Sequence, residues 1–149
     1  MDYIKDISLY VIIGIIITFS GAMLDSTFLF TYLKGNIIGV LLTLLAINTA
    51  TSGLIASKIQ DVLTQYPKMN FSGVIKEMKA SLLEQIVLIC LSVLVLLLVE
   101  SSKIDFTYKN EIGNVFLVSI LSHAISNLWD TGKAVFIIIE QIQKMNKNQ

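Results

Sequence analysis

The residues with chemistry to offer are few and lie in apolar surroundings. "SHAISNLWDTGK", Ser122 to Lys133, holds the one histidine, His123, and the one tryptophan, Trp129, beside Asn127 and Asp130. Elsewhere, Asn48 sits in "NTATS", Glu84 and Gln85 enter an apolar run, and Cys90 lies inside it. A lone thiol offers neither an intrachain disulfide nor a metal cluster, and reads as a small buried hydrophobe. No paired carboxylate lies within the spans, and there is no His/Cys/Asp ligand cluster or Gly-rich phosphate loop, so neither an enzyme, a cofactor nor a metal is expected. An intramembrane histidine can titrate near neutrality, which makes pH sensing a minor alternative. A proton-coupled exporter calls for a membrane-buried carboxylate, and Asp130 and Glu84 fall near a span edge.

The elements that carry these residues are read from hydropathy. The 149 residues are 54% hydrophobic, with no net charge and a mean hydropathy of +0.75. That is the composition of an integral membrane protein. All eleven basic residues are lysine. Without the arginine fork, phosphate and nucleic-acid recognition are disfavoured, and no direct nucleic-acid binding is expected. The expected fold is all-α: a single domain of two helical hairpins, with membrane spans at about 7–24, 36–57, 82–99 and 112–129. Each approaches the ~20 residues that cross a bilayer. The leader "MDYIKD" lacks net positive charge, so an uncleaved first span is expected rather than a signal peptide.

Lysines set the orientation. Lys5, Lys58, Lys68, Lys76, Lys79, Lys133, Lys144 and Lys147 lie on one side, against Lys34, Lys103 and Lys109 on the other. This predicts cytoplasmic termini and a cytoplasmic 58–81 connector. Phe28, Phe30, Tyr32, Phe106 and Tyr108 fall in the two outer loops as an interfacial aromatic belt. The loops "FTYLKGN" and "FTYKNEIGN" resemble one another at an offset of about 78 residues, as two copies of one hairpin would. Small residues four apart, at Gly14/Thr18/Ala22 and Gly35/Gly39/Thr43, suit close helix packing within or between chains.

Helical projection of 119–144 puts Ser119, His123, Asn127, Asp130, Lys133 and Lys144 on one face. The fourth span therefore continues as one amphipathic helix into the 130–149 tail, with Trp129 at the membrane boundary. Asp130 and Lys133, three apart, are placed to pair. With Asn48, this stripe has two readings. It is either a polar seam fixing helix register or the lining of a water path in an oligomer, with His123 and Asn127 as its constriction. Glu84 is expected to pair with Lys58 or Lys133 at the same depth. In the connector, Pro67 separates two helical stripes, and Ser72 is placed to cap the second. Tyr66 belongs to the first stripe, and the tip residues Lys68, Met69, Asn70 and Phe71 are expected to be exposed. Together with Tyr66, and with Lys144 of the tail, they form a docking surface for a cytoplasmic protein.

The opening "DISLYVIIG", the stretch "ATSGLIASKIQDVL" at 50–63 and the lysine-only, four-span architecture with a cytoplasmic hairpin resemble the KwaA family, membrane subunits of the Kiwa anti-phage system. The likeness is one of architecture and carries over no functional residue. It implies a homotetramer in the bacterial inner membrane that detects phage attack. It also implies a bound cytoplasmic KwaB-like effector that acts on phage DNA. The expected function is thus a non-enzymatic, oligomeric, lipid-embedded sensor or scaffold that recruits an effector. The alternative is a holin-like or channel-like pore former.

Overall fold

A computed structural model describes residues 2–67 and 69–147, with side chains described except at 2–4, 65, 138 and 141–147. Four helices follow one another: α1 (Asp2–Met23), α2 (Phe28–Gln65), α3 (Ser72–Glu100) and α4 (Lys109–Lys147). The chain is 87% helical, with no strand among the described residues. Every helix is long and apolar enough to cross a membrane. Helices suit that setting because each backbone group finds its partner within its own segment. At 38 and 39 residues, α2 and α4 run to roughly 57 Å, well beyond ~30 Å of hydrocarbon.

The α1–α2 turn is short because α1 ends in a Schellman motif. Ser26 N–H donates to Gly21 O at 2.9 Å and Asp25 N–H to Ala22 O at 3.3 Å. Asp25 occupies the left-handed position, with φ 48°, which glycine would take more readily. Helix α2 then starts at Phe28, so Phe28, Phe30 and Tyr32 are helical rather than loop residues. Phe30 is buried, and its ring lies over Gly21 at a distance that a side chain there would violate. Lys34 and Asn36, which look like loop residues, are satisfied within helices: Lys34 donates to Asn110 at 2.9 Å and Asn36 to Tyr32 O at 2.9 Å.

Helix α4 is the hub. It packs against α1, α2 and α3, and α2 also packs against α3, whereas α1 packs along its length on α4 and meets α2 at the Gly21–Phe30 contact. Leu117, Val118, Ser119 and Ile120 are therefore all buried in succession. Gly14 makes the α1–α4 approach possible, since a Cβ there would collide with Ser119 Oγ and Val115 O. The α2 glycines Gly35, Gly39 and Gly53 have open space beside them, so their small-residue face is not used within the chain. The two hairpins also differ: α3 packs on α4, but α1 does not pack along α2.

Two apolar clusters stack along the bundle. One joins Phe30, Leu33, Ile37, Leu41, Leu88 and Leu117. The other, at the connector end, joins Ile55, Ile59, Val62 and Phe71 with Tyr66, Met69, Val74 and Met78, and reaches Ala134 and Val135 of α4. This corrects the expected docking tip. Phe71 is only 9% exposed, and Tyr66 and Met69 pack against the same cluster, because the hairpin folds back onto α4. Asn70 remains exposed, while Lys68 and the side chain of Lys144 lie outside the described residues. Ser72 does not cap α3. Phe71 is the N-cap, and Asn70 Oδ1 accepts from Ser72 N–H at 2.9 Å in an Asx turn.

Asp25→Gly is expected to raise unfolding stability by about 0.5–1 kcal/mol by relieving the left-handed backbone. A titration with denaturing detergent reads this, and a loss of stability contradicts the motif. Phe71→Asp is expected to cost about 3 kcal/mol or more by placing a charge in the connector cluster. Asn70→Asp, on the exposed side of the same tip, should cost little in the same titration.

Candidate functional site: a polar layer and the cleft beside it

Between the two apolar clusters lies a layer of hydrogen-bonding side chains. Asn48 on α2 and Gln85 on α3 are each 0% exposed. Asn48 Nδ2 donates to Gln85 Oε1 at 2.7 Å and to Ser81 Oγ at 3.0 Å. Ser81 is the crossing point of the layer. Its hydroxyl donates to Asn127 Oδ1 and lies 3.1 Å from Thr131 Oγ1. Asn127 Nδ2 in turn donates to Ser81 O at 3.0 Å and to Glu84 Oε2 at 3.2 Å. The other Glu84 oxygen, Oε1, stands 3.0 Å from His123 Nε2. The imidazole stacks on Tyr10 of α1, with ring centroids 4.6 Å apart. One network thus links all four helices.

The register makes this possible. Helices α3 and α4 run antiparallel, so Ser81 and Glu84, three apart, both face the Asn127 turn of α4. The predicted stripe divides accordingly. Asn48, His123 and Asn127 come together in the layer. Ser119 returns its hydroxyl to Val115 O at 2.7 Å and sits under Gly14. Asp130, exposed at the rim of the cleft, pairs with Lys133 at 3.0 Å, as the spacing predicts. Lys133 also lies 5.5 Å from the Trp129 ring, a cation–π arrangement.

The expected pairing of Glu84 with Lys58 or Lys133 is overturned. Each lysine is taken by a carboxylate three residues away: Lys58 by Asp61 at 3.2 Å and Lys133 by Asp130 at 3.0 Å. Glu84 turns inward to His123 and Asn127 instead. Cys90 is also corrected, being exposed on the outside of α3. Ser81, Thr131 and Tyr10 were missed from the sequence. A serine in a helix is cheap and marks nothing by itself, and only its place opposite Asn48 and Asn127 gives it a role.

Several buried polar atoms have no protein partner: Asn48 Oδ1, Gln85 Nε2 and Ser52 Oγ within the layer, and Thr18 Oγ1 and Asn114 Oδ1 outside it. The layer is therefore demanding. Any shift of α2 against α3 would strand more of these groups.

Beside the layer, α1, α3 and α4 enclose a cleft. Its polar chamber, about 280 Å³, is lined by Asp6, Glu77, Glu84, Asp130, His123 and Asn127, among others. An apolar slot of about 220 Å³ continues from it past Val11, Val87, Leu91 and Phe116. Among the described residues, no group of three or more His, Cys, Asp or Glu is arranged to hold a metal ion. The arrangement can join imidazole and carboxylate across two helices, fix helix register and offer a cavity lined by acidic residues.

Fold and site define an all-α chain of four membrane-length helices joined by an internal polar layer. No protein-family model, curated protein or solved structure matches it.

A double-mutant cycle on Asn48→Ala and Gln85→Ala is expected to give a coupling of roughly 0.6–1.7 kcal/mol, the range for interhelical hydrogen bonds in membranes. Additive losses in the unfolding titration would mean that the pair does not act together.

Proposed function

We propose that the chain is a non-enzymatic membrane subunit, a sensor or scaffold whose polar layer couples its bilayer helices to the connector hairpin and the α4 tail. One observation carries this reading. The middle of the α4 polar stripe is engaged inside the chain: Asn127 bonds to Ser81 and Glu84, and His123 to Glu84. Residues committed in this way support a seam that fixes register, and they weigh against a water path between subunits. The connector cluster ties α2 and α3 to Ala134 and Val135, so a displacement of the membrane helices is passed to the hairpin.

The lysine asymmetry supports cytoplasmic termini and a cytoplasmic connector, and the bacterial inner membrane enters the proposal through the resemblance to KwaA-type subunits. The unused small-residue face of α2, Gly35, Gly39 and Thr43, suits packing against further copies in lipid. A homo-oligomer, and the tetramer implied by the resemblance to KwaA-type subunits, belongs to this proposal, as does a cytoplasmic effector in anti-phage defence. With Phe71 buried, the surface left for that effector is the exposed polar side of the hairpin, including Lys58, Asn70, Lys76 and Lys79.

Protein reconstituted in liposomes is expected to pass no ions, and purification in mild detergent is expected to retain a stoichiometric soluble partner. Lys76→Glu with Lys79→Glu should release that partner and leave the membrane oligomer intact by native mass measurement. A steady conductance altered by Asn127→Leu, from a homo-oligomer with no partner, would establish the pore instead.

A further inference from the structure

The chamber and the slot share Ile7, Tyr10, Glu84 and His123 and so form one cleft. Together they fall in the roughly 300–1,000 Å³ range usual for small-molecule sites. The cleft changes character along its length. At the connector end its wall is lined by Asp6, Glu77, Glu84 and Asp130, of which Asp130 is paired with Lys133 at 3.0 Å, and no lysine is in the lining among the described residues. Further in, Val11, Val87, Leu91 and Phe116 make the wall apolar. Because α1 packs along α4 and not along α3, the slot opens sideways between two apolar helices.

An acidic chamber alone would select nothing beyond positive charge. Its continuation into an apolar slot at membrane depth selects shape as well: an occupant charged at one end and hydrocarbon at the other. The sign of the charged end follows from the lining, since an anion would be repelled by these carboxylates. Glu84 is held by His123 and Asn127, so its carboxylate is oriented before anything binds. Tyr10 lines both parts of the cleft and supplies an aromatic wall of the kind that holds alkylammonium groups.

We propose that this cleft binds a single-chain cationic amphiphile, with its amine head among the carboxylates around Glu84 and its chain in the slot between α1 and α3. The site is independent of whether the chain acts as a scaffold. Its occupant enters laterally from the bilayer, and binding fills the space between α1 and α3, which do not pack closely along one another among the described residues.

The test is calorimetric titration of the full chain in phosphatidylcholine nanodiscs with decyltrimethylammonium, against empty nanodiscs and against decyl sulfate. Saturable binding of about one decyltrimethylammonium per chain is expected, with affinity lowered roughly ten-fold by Glu84→Gln. Asp6→Asn with Glu77→Gln, both at exposed positions, should weaken binding as well, and serves if Glu84→Gln fails to fold. Heats indistinguishable from those of empty nanodiscs would overturn the proposal, including the case in which bilayer lipid already fills the cleft. Equal binding of decyl sulfate, or binding indifferent to the carboxylate variants, would overturn it too.

Discussion

A buried amide that loses its partner costs more than the hydrogen bond it made, and this constraint governs the bundle. Asn48 and Gln85 are fully enclosed, and Ser81 and Asn127 complete their surroundings. Apolar clusters above and below the layer tolerate many small adjustments of one helix along another, because dispersion and apolar burial have no direction. The layer does not. Sliding α3 by one residue would separate Ser81 from both Asn48 and Asn127 and turn Glu84 away from His123. Register is thus set at one level, and the clusters on either side pack to it.

The same logic explains an apparent inversion. Helix α4 is the least apolar of the four spans and also the most enclosed. A helix facing lipid must be apolar, and α3 and the outer face of α1 are so, with Ile12, Ile15, Ile16 and Phe19 all exposed. A helix surrounded by protein can carry serine, asparagine and histidine wherever neighbours receive them. Polarity in α4 is therefore a sign of its central position.

Much of this was legible in the sequence, and the exceptions have identifiable causes. The four spans follow from runs of apolar residues long enough to cross a bilayer. The continuity of α4 past Gly132 follows from its unbroken helical period, and the Asp130–Lys133 pair from a spacing of three. Contacts across helices were not legible. Glu84 seemed nearest to lysines of similar depth, but Lys58 and Lys133 each had a carboxylate on the adjacent turn, which no interhelical partner has to compete for. Met69 and Phe71 of the tip looked exposed because periodicity places a residue on a face of its own helix. It says nothing of another helix arriving over that face, as Ala134 and Val135 of α4 do over the hairpin. The start of α2 was hidden by Lys34, Gly35 and Asn36, which resemble a loop until their partners Asn110 and Tyr32 O are known.

Helix α1 packs along its length on α4, the last of the four helices, and touches α2 at its end, where Phe30 covers Gly21. This arrangement has a consequence for biosynthesis. As the chain leaves the ribosome, α1 enters the bilayer with nothing to pack on. Helices α2 and α3 can pair while it waits, since their amides meet across a short hairpin. Only when residues 115–123 of α4 have been inserted do Gly14 and Tyr10 gain their counterparts. Of the four helices, α1 is thus the last to dock. Its apolar surface suits a helix that must rest alone in lipid until the remainder of the chain has been translated.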